Sequence, residues 1–345
     1  MTIPAQMPLP RVPNSLTAPP VRWGVMGTGW IAERFVEALQ QSTRQPVVAV
    51  GSRSLEAAAT FAKRFNLRTG HGSYPDLVAD PDVDVVYIAT PHNLHYPCAV
   101  LALDAGKHIL VEKPLALNAS QALQIAQLAE RRGLFCMEAM WTFSLPRYDV
   151  VRQLLESGVL GEVHSVIADH GERFARSHRI MRPDLAGGPL LDLGSYAIAL
   201  ANAVLGMPER VHAIGQPAPS GVNGQTAIIL GHQGGNQSTI HTTLLSDTPS
   251  AATIAGTKAT LTLPGPFFAP GDVLLTESGG RRRIRYTEPA VGHRGLHYQA
   301  AEVARRITAG ERSSPRRPLQ ASIDTLAVMD EVRRQTGVTF AEELP

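Results

Sequence analysis

From Val21 onward, short apolar runs alternate with amphipathic stretches, and this alternation limits the possible folds more than any other feature of the chain. VRWGVMG, PVVAVGSR, VDVVYIATP, HILVEKP and LFCMEAMW read as strands, because each is a short apolar run bounded by turn residues. Helical patterns lie between them. Ile31, Phe35 and Leu39 share one helix face, and Ser54 stands as an N-cap before Ala57, Ala58, Phe61 and Phe65. Asn118 with Gln121 resembles a capping box on a helix that Gly133 ends. Strands alternating with helices of roughly 10–15 residues give a doubly wound parallel sheet of the α/β class.

The rhythm changes near Leu145. A helix over Arg147 to Glu156, a strand over Glu162 to Asp169 and a long helical stretch over Leu190 to Leu205 come first. ERVHAIG, TAIILGH, QSTIHTTLL, ATIAGTKATLTL, DVLLTE and RRRIRYTE then follow as strand-like runs joined by short Gly or Pro turns. Such a succession builds a predominantly antiparallel open sheet. Helices over Leu296 to Thr308 and Leu319 to Arg334 close the chain. The expected domains are a flexible Pro-rich arm over 1–20, a Rossmann domain over 21–145 and an α+β domain over 146–340. The C-terminal helices either stay with the α+β domain or pack back on the Rossmann domain. A length of 345 residues agrees with about two domains.

Charge narrows the partners. Lys and Arg number 32 against 30 Asp and Glu, a net charge of +2, which is too small for a protein that lives by neutralising phosphate backbones. The basic run Arg281, Arg282, Arg283 and Arg285 therefore reads as a solvated or edge-protecting strand face. The two cysteines, Cys98 and Cys136, sit in apolar stretches, so neither a disulfide framework nor a thiolate metal site is expected, and a reducing cytoplasm fits. The first twenty residues contain no apolar run long enough for a leader or a membrane span.

Gly27-Thr28-Gly29-Trp30-Ile31-Ala32 directly follows the first strand and opens the first helix. In that context the first Gly permits the tight turn, the second admits a pyrophosphate to the backbone, and a small residue at the third position lets helix and strand pack closely. A dinucleotide site is expected. The second strand ends in Ser52-Arg53-Ser54 after Gly51, where an NAD site usually offers an acidic side chain. An arginine flanked by hydroxyls suits a 2'-phosphate, so NADP is expected, with NAD as second choice. The plainer reading makes Arg53 a solvated loop arginine.

Thr90-Pro91-His92-Asn93-Leu94-His95 ends the third strand and Glu112-Lys113-Pro114 the fourth. Both lie at carboxyl ends of parallel strands, where doubly wound sheets bind ligands. Lys113, stiffened by the following Pro, is suited to aim its ammonium at a substrate oxygen or at a nicotinamide; alone, it equally suits a surface lysine. His92 and His95 lack the convergent partners of a metal site, and no metal is expected. Glu138 and Trp141 end the last strand, either as cofactor or substrate contacts or as packing residues, and Arg179 either reaches substrate or is a surface charge.

GTGWIA, ATPHNLHY, VEKPL and GGPLLDLGSY, in this order and at these separations, resemble the glucose-fructose oxidoreductase/inositol dehydrogenase/MocA family. MEAMW with LPR, AGGPLLDLGSY and the closing PLQASIDTLAVMDEVRRQTGV resemble its dihydrodiol and NADP-dependent xylose dehydrogenase branch. The likeness covers nearly all of residues 21–340. It implies that Lys113 is catalytic or orients substrate, that Asp192 and Tyr196 join it from the second domain, and that Pro91, Asn93 and His95 lie beside the cofactor. Asp192 and Tyr196 are spaced i, i+4, so on one helix they share a face. A tyrosine titrates near ~10 unless a neighbouring ammonium stabilises its phenolate. Tyr196 is therefore expected as general acid/base, Lys113 as its electrostatic partner and Asp192 as orienter, with either Lys113 or Tyr196 as the group that finally takes the proton, since they titrate as a coupled pair. The inositol branch has a His where Tyr196 stands, a departure that weakens any inositol reading.

The function expected is hydride transfer between NADP and a sugar or cyclic diol, an aldose such as D-xylose or a trans-dihydrodiol, in a cleft between the two domains. By resemblance, a homodimer forms through the open sheet. Two rivals stand: the same chemistry on another sugar or an anhydro-ketose, and a non-catalytic sugar- or NADP-sensing protein, against which the presence of Lys113, Asp192 and Tyr196 counts.

Overall fold

The computed structural model describes residues 3–280, 282–289 and 291–343. The chain divides into two compact units, each assembled from separated stretches. The parallel-sheet unit comprises Pro13–Ser144 and Val291–Ile323; the large-sheet unit comprises Met1–Val12, Leu145–Ala290 and Asp324–Pro345.

In the parallel-sheet unit, β1 (Trp23–Met26), β2 (Val47–Gly51), β3 (Thr69–His71), β4 (Val85–Ile88), β5 (His108–Glu112) and β6 (Cys136–Ala139) run parallel in the order β3-β2-β1-β4-β5-β6. They alternate with α1 (Trp30–Ser42), α2 (Leu55–Phe65), α3 (Tyr74–Ala79), α4 (His95–Asp104) and α5 (Ala119–Arg132). β1, β4 and β6 are buried throughout, as strands covered on both faces must be. Phe35 of α1 packs edge-on against Trp23 at 5.3 Å and face to face with Tyr87 at 3.8 Å, which fixes α1 on the sheet. The strand order reverses between β1 and β4, leaving a crevice at their carboxyl ends. At the α5 cap, Asn118 accepts from Gln121 N at 2.8 Å, as the sequence suggests, and the Gln121 side chain accepts from Leu117 N at 3.2 Å.

Six strands stand where the sequence suggested five. Thr69-Gly70-His71 has no apolar run to announce it; β3 exists because the free edge of β2 pairs Ala49 with Thr69 and Val50 with Gly70. Only glycine fits at position 70, since a Cβ would lie 2.8 Å from the Ala58 carbonyl.

The large-sheet unit holds α6 (Pro146–Glu156), β7 (Val163–Gly171), α7 (Ser195–Leu205), β8 (Arg210–Pro217), β9 (Asn223–Gly231), β10 (Gln237–Thr243), β11 (Ala252–Gly256), β12 (Ala259–Leu263), β13 (Val273–Glu277) and β14 (Arg283–Tyr286). The sheet order is β14-β13-β12-β11-β7-β10-β9-β8, parallel at β7–β10 and antiparallel elsewhere. ATIAGTKATLTL, one run in the sequence, folds back into the β11–β12 hairpin. The helix expected over Leu190 to Leu205 begins as a π-helical turn, Leu190–Gly194, before α7. Pro183–Leu205 is apolar and long enough to cross a membrane, but 78% of its most apolar window is buried within the protein, as in a core helix. Arg283 and Arg285 are exposed on the edge strand β14, and Arg281 lies outside the described residues. Ile167, Ile229 and Ile214 stand 53%, 52% and 80% exposed on one face of β7, β9 and β8.

α8 (His297–Thr308) lies in the parallel-sheet unit, and α9 (Leu319–Thr336) follows it. The N-terminal segment is not the flexible arm its composition suggests. Arg11 N donates to the buried carboxylate of Asp149 at 2.7 Å, Gln153 donates to Leu9 O at 2.9 Å and Arg282 to Ile3 O at 2.9 Å. Further on, Ser15 Oγ lies 2.9 Å from His297 Nδ1, and Arg305 donates to Asn14 O at 2.7 Å. A Pro-rich segment pays little entropy on ordering, and buried groups such as Asp149 need its donors.

Burial depresses the His297 pKa from 6.5 to about 4. In the unfolded chain His297 gains a proton near pH 6.5, whereas the folded protein refuses it until about 4, so stability falls as pH drops through that window. Urea midpoints measured from pH 7 to 4 should decline less steeply in His297→Asn than in the parent; equal slopes would remove His297 as a contributor.

Candidate functional site

The dinucleotide fingerprint has the geometry its residues require. Gly27 adopts φ +108°, its N–H donates to Gly51 O at 2.9 Å, and a Cβ there would lie 2.8 Å from Ala89 O. Gly29 caps α1 without a side chain, and a Cβ on it would meet nothing within 4 Å, so the first-turn N–H groups stay open to an anion. Ala32 is fully buried, which lets α1 lie close to the sheet. Thr28 and Ile31 are half-buried beside it, and Trp30 is exposed. These features fit a pyrophosphate.

At the end of β2, Ser52 Oγ accepts from Ser54 N at 3.3 Å and Ser54 Oγ caps α2 through Ala57 N at 3.2 Å. Arg53 between them is exposed. Its charge acts on Tyr74 and Cys98, and burial pushes the Cys98 thiol up to about 11, too high for a nucleophile at neutral pH.

At the ends of β4 and β5, Thr90 is buried, while Pro91, Asn93 and Lys113 are half-buried. His95, expected beside the cofactor, is turned into the protein. It has no exposed surface, and its ring nitrogens lie 2.7 Å from Pro114 O and 3.0 Å from Thr90 O, so it ties the two strand-end turns together. Glu112 also turns inward: it accepts from the Tyr87 hydroxyl and, at 3.1 Å, from Lys113 N, which fixes the turn that carries Lys113. The Lys113–Pro114 bond is cis. Glu138, 1% exposed, is turned into the protein; its carboxylate accepts from Leu115 N at 3.0 Å, Arg317 Nε at 2.7 Å and Ser322 Oγ at 2.7 Å.

Trp141, one candidate substrate residue, is 3% exposed and stacks on His293 at 5.4 Å. Trp30 meets the same imidazole edge-on at 4.7 Å, so His293 stands between two indoles. Burial and the charges of Arg34 and Lys113 lower its pKa and keep it neutral at physiological pH. His293 is not legible from the sequence, since it follows Lys113 by well over a hundred residues and belongs to no pattern.

In the large-sheet unit, Asp192 sits in the π turn and Tyr196 in the first turn of α7, both buried. Arg179, one of the candidate substrate residues, is paired instead with Asp192, Nη2 to Oδ2 at 2.9 Å. The Tyr196 ring stacks on Phe268 at 4.7 Å and 21°, and Phe268 stacks on His170 at 4.4 Å and 24°. His170 Nδ1 lies 3.3 Å from Leu193 O, joining β7 to the π turn. Neither His170 nor Phe268 was singled out from the sequence, because they reach Tyr196 from separate elements. Gly187 approaches Ile180 O so closely that a Cβ would lie 2.5 Å from it, and Gly188 adopts φ +113°; together they steer the chain into the π turn.

The sequence profile described as "Oxidoreductase family, NAD-binding Rossmann fold" matches residues 21–140, and that of the GFO/IDH/MocA C-terminal domain matches residues 148–262. The chain belongs to the Gfo/Idh/MocA oxidoreductase family. It is 34% identical over 327 residues to a trans-1,2-dihydrobenzene-1,2-diol dehydrogenase of Oryctolagus cuniculus, covering 92% of this chain and 99% of the relative. With the enzyme of the same name from Bos taurus it shares 33% over 334 residues, 94% of this chain and 99% of that one. Among solved structures, a 3-ketoreductase from Actinomadura kijaniata in complex with NADP and TDP-benzene superposes with a TM-score of 0.81 at 28% identity, over 92% of this chain and 98% of that one. A levoglucosan dehydrogenase with NADH and levoglucosan has a TM-score of 0.83 at 18% identity, a likeness of fold alone. This family member is thus a dehydrogenase acting on CH–OH groups, with a Rossmann domain for NAD or NADP.

Glu138→Ala should cost about 3–5 kcal/mol in urea unfolding, the usual penalty for leaving a buried charge such as Arg317 without its partner. A loss under about 1 kcal/mol, the range of exposed pairs, would show that Arg317 finds other acceptors.

Proposed function

We propose that this family member is an NADP-dependent dehydrogenase that moves a hydride between the nicotinamide and a hydroxyl-bearing carbon of a sugar or cyclic diol. The observation that carries the cofactor choice is Arg53, exposed at the carboxyl end of β2 between two serines, where an acidic residue would repel a 2'-phosphate. Gly27, Thr28, Gly29, Trp30 and Ile31 would hold the pyrophosphate, with Ser52, Arg53 and Ser54 at the adenosine phosphate, and Thr90, Pro91 and Asn93 beside the nicotinamide half. When bound, the nicotinamide supplies the hydride acceptor.

The chain's own residues do the acid–base work. Tyr196 takes the hydroxyl proton as the C–H bond breaks and returns it in the reverse direction. Lys113 stabilises the developing alkoxide with its ammonium. Asp192, anchored by Arg179 at 2.9 Å, orients the substrate hydroxyl. The stacked rings of His170, Phe268 and Tyr196 give an apolar wall suited to the carbon face of a ring-shaped substrate. Dihydrodiol dehydrogenase relatives at about one-third identity support a cyclic diol, and an aldose satisfies the same groups.

The exposed Ile167, Ile214 and Ile229 on one sheet face support a homodimer through that surface. The two cysteines, both free and buried, accord with a reducing cytoplasm.

Arg53→Ala should weaken NADPH binding by tenfold or more, on the order of one lost charge-assisted contact, while leaving NADH binding nearly unchanged. Fluorescence titration checks this, and equal losses for both cofactors would refute the 2'-phosphate role. Tyr196→Phe should keep NADPH affinity and lose most of kcat on trans-dihydrodiols and aldoses; near-normal turnover would remove Tyr196 from the mechanism.

A further inference from the structure

The ring that supports Tyr196 is not anchored by the element that carries it. Phe268 lies in the segment after β12, and its backbone is gripped from α6. Arg147 is fully buried; its guanidinium donates through Nη1 to Pro266 O at 3.0 Å and Ala269 O at 2.8 Å, and through Nη2 to Pro264 O at 2.9 Å. The adjacent Tyr148 hydroxyl donates to Phe267 O at 3.2 Å. Carbonyls before and after Phe268 are therefore tied to two consecutive side chains of one helix.

The opposite side of the segment is also fixed. Phe267 N donates to Ser250 O at 2.8 Å, and Ser250 N donates to the carboxylate of Asp169, the β7 neighbour of His170, at 2.8 Å. Gly265 passes so near Pro249 that a Cβ would fall 1.8 Å from its carbonyl oxygen. The segment thus has no regular hydrogen-bond ladder of its own, and its buried carbonyls need donors. A guanidinium offers several N–H groups in a fixed plane, which an ammonium or an apolar side chain does not. Desolvation opposes a buried cation here, and an apolar side chain would fill the space without that cost. What the arginine adds is a defined position for the segment.

We propose that Arg147 is a positioning residue for the reaction, holding the 264–269 segment so that Phe268 fixes the angle and depth of the Tyr196 ring. The inference rests on the reading of Tyr196 as acid/base. A phenol that must meet a substrate hydroxyl within hydrogen-bond range tolerates little drift, and misplacement by about 1 Å can lower a rate about a hundredfold. The stacked neighbour, rather than the helix alone, limits rotation of the ring about its Cα–Cβ bond.

Two readouts test this: kcat with saturating NADPH or NADP, and the titration of Tyr196, isolated among the seven tyrosines as the 295 nm absorbance of each protein minus that of its Tyr196→Phe version. Phe268→Leu calibrates both, since it removes the stacked ring directly. Arg147→Lys should lower kcat about tenfold or more, leave NADPH affinity unchanged, and shift the Tyr196 midpoint in the same direction as Phe268→Leu. The double variant should be no slower than Phe268→Leu alone. Tyr148→Phe, a milder release of the same segment, should move both readouts the same way by a smaller factor, and keeps the test open if Arg147→Lys does not fold. If these variants lose stability while the Tyr196 midpoint and kcat stay at parent values, the proposal is overturned. If Tyr196→Phe itself keeps near-normal turnover, the acid/base reading fails, and the titration still decides whether Arg147 positions Tyr196.

Discussion

A carboxylate with almost no exposure to water must be satisfied by nearby donors, and in the parallel-sheet unit that requirement organises the end of the sheet. Glu138 at the edge strand β6 draws together Leu115 N, Arg317 and Ser322. The first belongs to the turn that carries Lys113; the other two lie 179 and 184 residues further along the chain. The turn after β5 is therefore tied, through Glu138, to Arg317 and to Ser322 in the first turn of α9. This is why the unit is discontinuous in sequence, and why a residue that looks like a ligand contact is instead a joint.

The same economy recurs nearby. His95 joins two strand-end turns through Pro114 O and Thr90 O, and Glu112 joins β4 to β5 through Tyr87. His95 and Glu112 each lie one or two positions from a half-buried residue, Asn93 and Lys113, so these strand-end turns are held from beneath. In the large-sheet unit the Arg179–Asp192 pair follows a related rule. The acid lies in a π turn, a local widening of the helix that tends to occur where side chains are redirected for function.

The sequence was most informative where one local period or one backbone constraint determined the outcome. Gly27 was legible because few residues tolerate φ near +108°, Gly29 because it stands at a fixed spacing from Gly27 between one strand and one helix, and β1, β4 and β5 because buried parallel strands read as apolar runs. What escaped depended on distant partners. β3 has three residues and owes its existence to an edge of β2; His293 is located by two indoles from opposite ends of the unit. Trp141 and Glu138 were correctly placed near a strand end, but whether such residues face in or out is decided by partners elsewhere, such as His293 and Arg317. Composition suggested a loose start to the chain because prolines and polar residues cannot form a core of their own; it could not show that Asp149 would need Arg11.

That opening segment bears on biosynthesis. It leaves the ribosome well before the partners that hold it: Asp149 comes 138 residues after Arg11, and Arg282 comes 279 after Ile3. Until Asp149 and Arg282 have been made, Arg11 and Ile3 lack these partners, and Ile3, almost wholly covered in the finished protein, remains in water or with a chaperone. These residues are thus synthesised long before the contacts that place them exist.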